Sequence, residues 1–199
     1  MIPVSVGVQM AARPARAAGA VLWTRTDLAR MRNIGILPDK YELLDGDIIN
    51  KMGQDITHRR AVSYLFGWLA QVWGADHVLM QAAVDVSPRD NPANAPEPDL
   101  VALRAPVTSL AGNPGPGMVD LVIEVSGGTL IEDLTRKKDL YARAGFPEYW
   151  VFDVSSRRLF LHRKPIDGSY QGLLERWGSA EVATLTHPEH RLRPEKLLA

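Results

Sequence analysis

Residues 119–125, Val-Asp-Leu-Val-Ile-Glu-Val, set a glutamate inside an almost unbroken aliphatic run. Such a run, β-branched at Val119, Val122, Ile123 and Val125, is the pattern of a strand buried on both faces in the middle of a sheet. Glu124 is the anomaly in it. A carboxylate in a core costs several kcal/mol unless a cation or hydrogen bonds compensate it. The chain must therefore bring partners to Glu124.

Upstream, residues 87–98 contain Pro88, Pro92, Pro96 and Pro98, which lack the N–H a ladder needs and mark a loop. That loop delivers Asp99 to the start of a short apolar strand, residues 100–103. If this strand neighbours the one holding Glu124, the two carboxylates meet at one end of the sheet. Downstream, residues 133–144 are helical in pattern, with Leu134, Leu140 and Tyr141 on the inner face and Gly145 as the stop. Lys137 lies in the first turns of that helix, able to lean back over the strand end.

The remaining elements fit around this unit. Thr24 or Thr26 can cap a short helix through Asp27, Leu28 and Met31. Residues 41–49 read as two short strands around Asp45-Gly46, a strong hairpin signal, with Glu42 in the first strand. Apolar residues at three- and four-residue spacing over residues 56–73 mark an amphipathic helix beginning beside His58. Residues 78–86, 149–154 and 159–162 read as strands, and a last hairpin is expected around residues 170–185. Tyr149, Trp150, Trp68 and Trp73 are read as core. The expectation is an α/β (α+β) chain with a central mixed sheet flanked by helices: one domain over residues 21–199, with residues 1–20 a loose tail.

Composition narrows the chemistry. There is no cysteine, so disulfides, thiolate zinc sites and cysteine nucleophiles are excluded and a cytoplasmic address is expected. No apolar run approaches the length of about 18 residues that a membrane span requires, and Arg13 and Arg16 are not followed by the apolar stretch of a signal peptide. The net charge is zero, against a protein held to nucleic acid by a large positive field. The distribution is uneven, however. Residues 61–135 carry nine carboxylates against Arg89 and Arg104, while residues 136–199 carry twelve Lys and Arg against eight carboxylates, which suits a metal-binding cleft flanked by cations, or an ordinary solvated surface.

Two carboxylates at a strand end make a hard-oxygen site suited to magnesium or manganese. Each residue also has a plainer reading, because a strand glutamate can simply pair with an arginine and an aspartate after proline often caps a turn. His58 is open between contacting substrate, supporting Glu42, and lying at a helix end near the surface.

Tyr41-Glu42-Leu43-Leu44-Asp45-Gly46, His58, Pro98-Asp99-Leu100, Ile123-Glu124-Val125-Ser126, Asp133, Lys137, Tyr141, Gly145, Glu148-Tyr149-Trp150 and Asp153 occur in an order and spacing that resemble the Uma-two family of predicted restriction endonucleases. That family is a branch of the PD-(D/E)XK nuclease superfamily. The resemblance covers roughly residues 22–165 and implies a restriction-endonuclease-like core. One departure from the superfamily signature is informative: the lysine normally two residues after the glutamate is replaced by Ser126, and Lys137 matches the relocated position.

The resemblance implies an Mg2+- or Mn2+-dependent endonuclease acting on DNA; a small core cuts both strands of a duplex most simply as a two-fold pair, so a homodimer is expected. Asp99, Glu124 and the carbonyl of Val125 would hold the ion, Glu42 would reach the same cluster, and Lys137 would orient water or neutralise charge. Ser126, Arg136 and Lys138 are further candidates for contact with substrate, as is His58. A catalytically weak nucleic-acid-binding or interaction module on the same fold is the alternative, and a hydrolase of smaller phosphoesters a third reading.

Overall fold

The computed structural model describes residues 21–38, 40–51 and 55–198; the expected tail, residues 1–20, lies outside the described residues. In chain order the principal elements are α1 (Arg25–Asn33), β1 (Tyr41–Leu44), β2 (Asp47–Asn50), α2 (Ile56–Trp73), β3 (Val78–Met80), β4 (Leu100–Leu103) and β5 (Val119–Ser126). They continue with α3 (Leu130–Glu132), a π turn (Asp133–Lys137), α4 (Lys138–Ala144), β6 (Glu148–Asp153), β7 (Arg158–Ile166) and β8 (Ser169–Trp177). Thr24 caps α1 through a reciprocal box with Asp27.

Strands β3 to β8 form a six-stranded sheet in sequential order, while β1 and β2 stand apart as a two-stranded hairpin. The pair β5–β6 is parallel and the other pairs are antiparallel, so the sheet is mixed, as expected. The α3–α4 segment makes the crossover that a parallel pair demands. On one face α2 packs Ala61, Val62, Leu65 and Leu69 against Leu100, Leu121, Ile123 and Trp150. On the other, Leu140 and Tyr141 of α4 and Leu44 of the hairpin cover Val101, Val122, Tyr149 and Val151. Strand alternation therefore sends Val122 and Glu124 to the α4 side. Tyr149 and Trp150 are fully buried core residues.

Three expectations need correction. The strand expected over residues 78–86 ends at Met80: Gln81 turns the chain with φ 48°, and the next amides bond to the proline-rich loop instead of a ladder, Val84 N–H to the Pro96 carbonyl (3.1 Å) and Val86 N–H to Asn91 Oδ1 (2.7 Å). The last hairpin lies earlier than residues 170–185. It joins β7, which runs well past the expected residue 162, to β8 through Asp167-Gly168 (φ 49° and 76°), the geometry also seen at Asp45-Gly46 (φ 46° and 82°). The helix expected over residues 133–144 starts at Leu130 and is interrupted by the π turn.

A buried lysine among three carboxylates as candidate active site

Register places the two strand carboxylates. Leu100 of β4 pairs with Ile123 of β5, so Asp99 and Glu124 occupy the next positions along that antiparallel pair, at the same end of the sheet. β4 stops there, and the vacated edge of β5 is filled by a side chain: Asp99 Oδ2 accepts the Val125 N–H at 2.9 Å. The same oxygen lies 3.1 Å from His58 Nε2, which α2 brings in at its first turn, where Asp55 caps the His58 N–H. His58 is therefore buried beside Asp99, a partner of that residue and not of Glu42.

Lys137 closes the site from the other side. Its Nζ lies 2.9 Å from Glu124 Oε1, 2.9 Å from Glu42 Oε2 and 3.5 Å from Asp133 Oδ1, and all four side chains are buried. The π turn aims it there. In that turn the Lys138 N–H reaches back to the Asp133 carbonyl, which also accepts the Tyr149 hydroxyl at 3.0 Å, and the widened turn shifts Lys137 relative to a regular helix. Such turns are frequent at functional sites. Thr129 donates to Asp133 Oδ2 (2.7 Å) and Tyr141 to Glu124 Oε1 (3.4 Å).

Charge in this pocket is unbalanced. Four carboxyl groups, Glu42, Asp99, Glu124 and Asp133, share it with two ammonium groups, Lys137 and Lys51, an excess of two negative charges when all are ionised. Burial pushes Glu124 well above the usual carboxylate range; Lys137 opposes that shift, and Asp133, Glu42 and Asp99 reinforce it. Burial also works to raise Glu42, but the charges of Lys137 and Lys51 and the Glu97 N–H outweigh it and hold that carboxyl low. Asp99 is held low in spite of burial by His58 and the Val125 N–H. Burial would lower Lys137, yet Glu124, Glu42 and Asp133 keep its ammonium protonated well above its ordinary range.

The family model Uma2, described as "Putative restriction endonuclease", matches residues 36–187. The chain belongs to the Uma2 family. A solved structure described as a putative nuclease belonging to DUF820 from Anabaena variabilis ATCC 29413 superposes with a TM-score of 0.65 at 16% sequence identity, covering 88% of this chain and 97% of that one. That likeness establishes the restriction-endonuclease-like fold. A search among curated proteins finds no match.

Within this Uma2 chain the other candidates from sequence are distributed unevenly. Ser126 is fully buried, its Oγ 3.4 Å from Thr129 Oγ1. Arg136 is committed to the hairpin, bonding the Leu44 carbonyl, Asp47 (2.9 Å) and Glu132 (3.0 Å). Lys138 turns away from the cluster to Asp139 (3.1 Å) and the neighbourhood of His162. Glu148 is the strand glutamate that simply pairs with an arginine: Arg163, the Trp150 indole (2.7 Å) and the Leu185 N–H (2.8 Å) satisfy it. Sequence reasoning left Asp133 and Lys51 out of the site. The i, i+4 spacing of Asp133 and Lys137 and the hairpin register, in which Lys51 stands diagonal to Glu42 on one face, were the available signals.

Proposed function

We propose that this chain is a divalent-metal-dependent endonuclease that hydrolyses phosphodiester bonds of DNA, with Asp99, Glu124 and the Val125 carbonyl as the ion's protein ligands. The observation that supports this is the meeting of Glu42, Glu124 and Lys137, from three separate segments, at one buried point, with Asp99 near enough for its charge to be felt at Glu124. Among the described residues no three acidic or histidine side chains already surround a common point as ligands, since the Lys137 ammonium stands between Glu42 and Glu124. The donor set nevertheless fits magnesium or manganese: it is all oxygen, and such ions are usually held by one or two carboxylates with water and substrate phosphate completing the shell. The Val125 carbonyl points the same way as its N–H in an extended strand, toward Asp99.

When bound, such an ion polarises the scissile phosphate and makes hydroxide available near neutral pH. The chain's own groups prepare for that. Lys137 keeps Glu42 ionised and aligns it with Glu124, and its fixed positive charge sits beside the place where negative charge builds on the phosphate. His58 orients Asp99, leaving the carboxylate in one rotamer across the end of β5.

Nicking of supercoiled plasmid DNA in magnesium or manganese, with Asp99→Asn and Lys137→Ala beside the parent, tests the proposal. Metal-dependent relaxation by the parent that both variants lose is the expected result. Equal activity in all three would overturn the site, and metal-dependent DNA binding without cleavage would favour a binding module on this fold.

A further inference from the structure

The pocket contains two lysines, and only one of them has a donor to spare. An ammonium carries three N–H groups. Those of Lys137 are spent on Glu42, Glu124 and Asp133, and its side chain is 6% exposed. It can neutralise the interior but cannot reach a ligand without giving up a carboxylate. Lys51, just after β2, donates to the Glu97 carbonyl at 2.7 Å and lies 3.4 Å from Glu42 Oε1. Among the described residues these are its two partners, and its side chain is 20% exposed. Its charge is felt at Glu42, Glu97 and Asp99, so it stands beside the same carboxyl groups, and its two partners leave one of its three N–H groups uncommitted among the described residues.

We propose that Lys51 is the residue through which this chain contacts a phosphate of its nucleic-acid substrate, with Lys137 acting as an internal counter-charge. The proposal rests on the nuclease reading above and deepens it. A phosphodiester approaching a cluster of carboxyl groups is repelled less where a cation with a donor to spare stands beside them. Of the other cations whose charge is felt at these carboxyl groups, Lys137 is turned inward, and the Arg32 guanidinium bonds the Tyr41 hydroxyl at 2.7 Å. Lys51 is also pre-positioned. The Glu97 carbonyl and the hairpin hold its ammonium in place, its backbone N–H bonds the Lys40 carbonyl at 3.0 Å, and a tethered lysine loses less rotamer freedom on meeting a phosphate than a free surface one.

The test is the salt dependence of binding to a short DNA duplex, followed by fluorescence anisotropy in calcium, for the parent, Lys51→Met, Lys51→Gln and Lys51→Arg. Each phosphate contact neutralised by a lysine contributes a slope of about −0.9 to log K against log salt. Lys51→Met and Lys51→Gln should therefore have a slope shallower by about one than the parent, while Lys51→Arg, which keeps the charge, should retain it. A lysine that merely supported Glu42 would change affinity and leave the slope alone. If the parent binds DNA and both neutral variants keep its slope, Lys51 is not a phosphate contact while the nuclease reading stands. If the parent binds no DNA at any salt concentration, the nuclease reading falls and this proposal with it. Should either neutral variant lose its fold by circular dichroism, the other and Lys51→Arg still decide the outcome.

Discussion

Replacing Lys137 by methionine keeps the length of the side chain and removes its charge. Three buried carboxyl groups, Glu42, Glu124 and Asp133, then lose the ammonium that lies 2.9 to 3.5 Å from them. Removing one partner of a buried ion pair costs about 3–5 kcal/mol, a large share of the 5–15 kcal/mol by which domains are typically stable. The cost must depend on pH, and its sign follows from the carboxyls. Without Lys137 the upward push of burial on Glu124 and Glu42 loses the largest charge opposing it, so their folded pKa values rise relative to the unfolded ones, near 4.3 for glutamate. The penalty is thus absent below about pH 4 and grows as pH rises through the raised folded values. Guanidinium unfolding of parent and variant at pH 5 and pH 8, read by the fluorescence of Trp150, which stacks on Trp68 at 5.8 Å, measures it. The deficit should be near 3–5 kcal/mol at pH 8 and markedly smaller at pH 5, and adding Glu124→Gln to the variant should recover part of it. A deficit under about 1 kcal/mol at pH 8, the scale of an exposed pair, or one unchanged between the two pH values, would refute the reasoning.

Two further predictions concern the scaffold. His162 is buried between Tyr149 and Tyr170, its Nε2 has no hydrogen-bond partner among the described residues, and burial, aided by Lys138, pushes it down to about 4. A depressed histidine contributes stability that is complete above its unfolded value near 6.5 and is lost as pH falls toward 4, here up to about 3 kcal/mol; His162→Phe should flatten that part of the stability profile in urea titrations between pH 7 and pH 4.5. Gly145 ends α4 with φ +88°, and a Cβ added there would touch nothing within 4 Å, so Gly145→Ala should cost only the left-handed conformation, about 1–2 kcal/mol. That lowers Tm by about 2–4 °C per kcal/mol, and Gly145→Asn should lose less.

Much of the site was legible because its residues break local patterns. Glu124 interrupts an aliphatic strand, Asp99 ends a proline loop, and Asp45-Gly46 defines the hairpin carrying Glu42; each is a signal within a few residues. Lys137 was suggested by its place in the helix that follows the Glu124 strand and supported by the resemblance to a family, but nothing local says that a helical lysine will be buried. What escaped was set by tertiary structure. The π turn depends on the Tyr149 hydroxyl holding the Asp133 carbonyl from another strand. Residues 81–86 are apolar enough for a strand, but Gln81 turns the chain and the N–H groups of Val84, Asp85 and Val86 go to Pro96, Pro114 and Asn91 in two loops. Asp167-Gly168 was as readable a turn as Asp45-Gly46, yet Pro165 close before it argues against a strand, and the structure tolerates that proline beside the turn of the last hairpin, opposite Tyr170.

Glu42 and Lys51 ride on a hairpin that belongs to no other sheet. It is moored by the Ala95 N–H on the Leu43 carbonyl, by Asn94 on the turn, and by Arg136 and Arg143 reaching Asp45 and Asp47. Beyond these polar moorings the hairpin contributes only Leu44 and Ile49 to one apolar layer, whereas the six-stranded sheet is secured by both. Heat or chaotrope should thus unhitch the hairpin first, silencing the chemistry while the far-ultraviolet spectrum still reports a native β-sheet. Thermal inactivation of such a protein would measure the hold on one hairpin, and calorimetry the cohesion of its core.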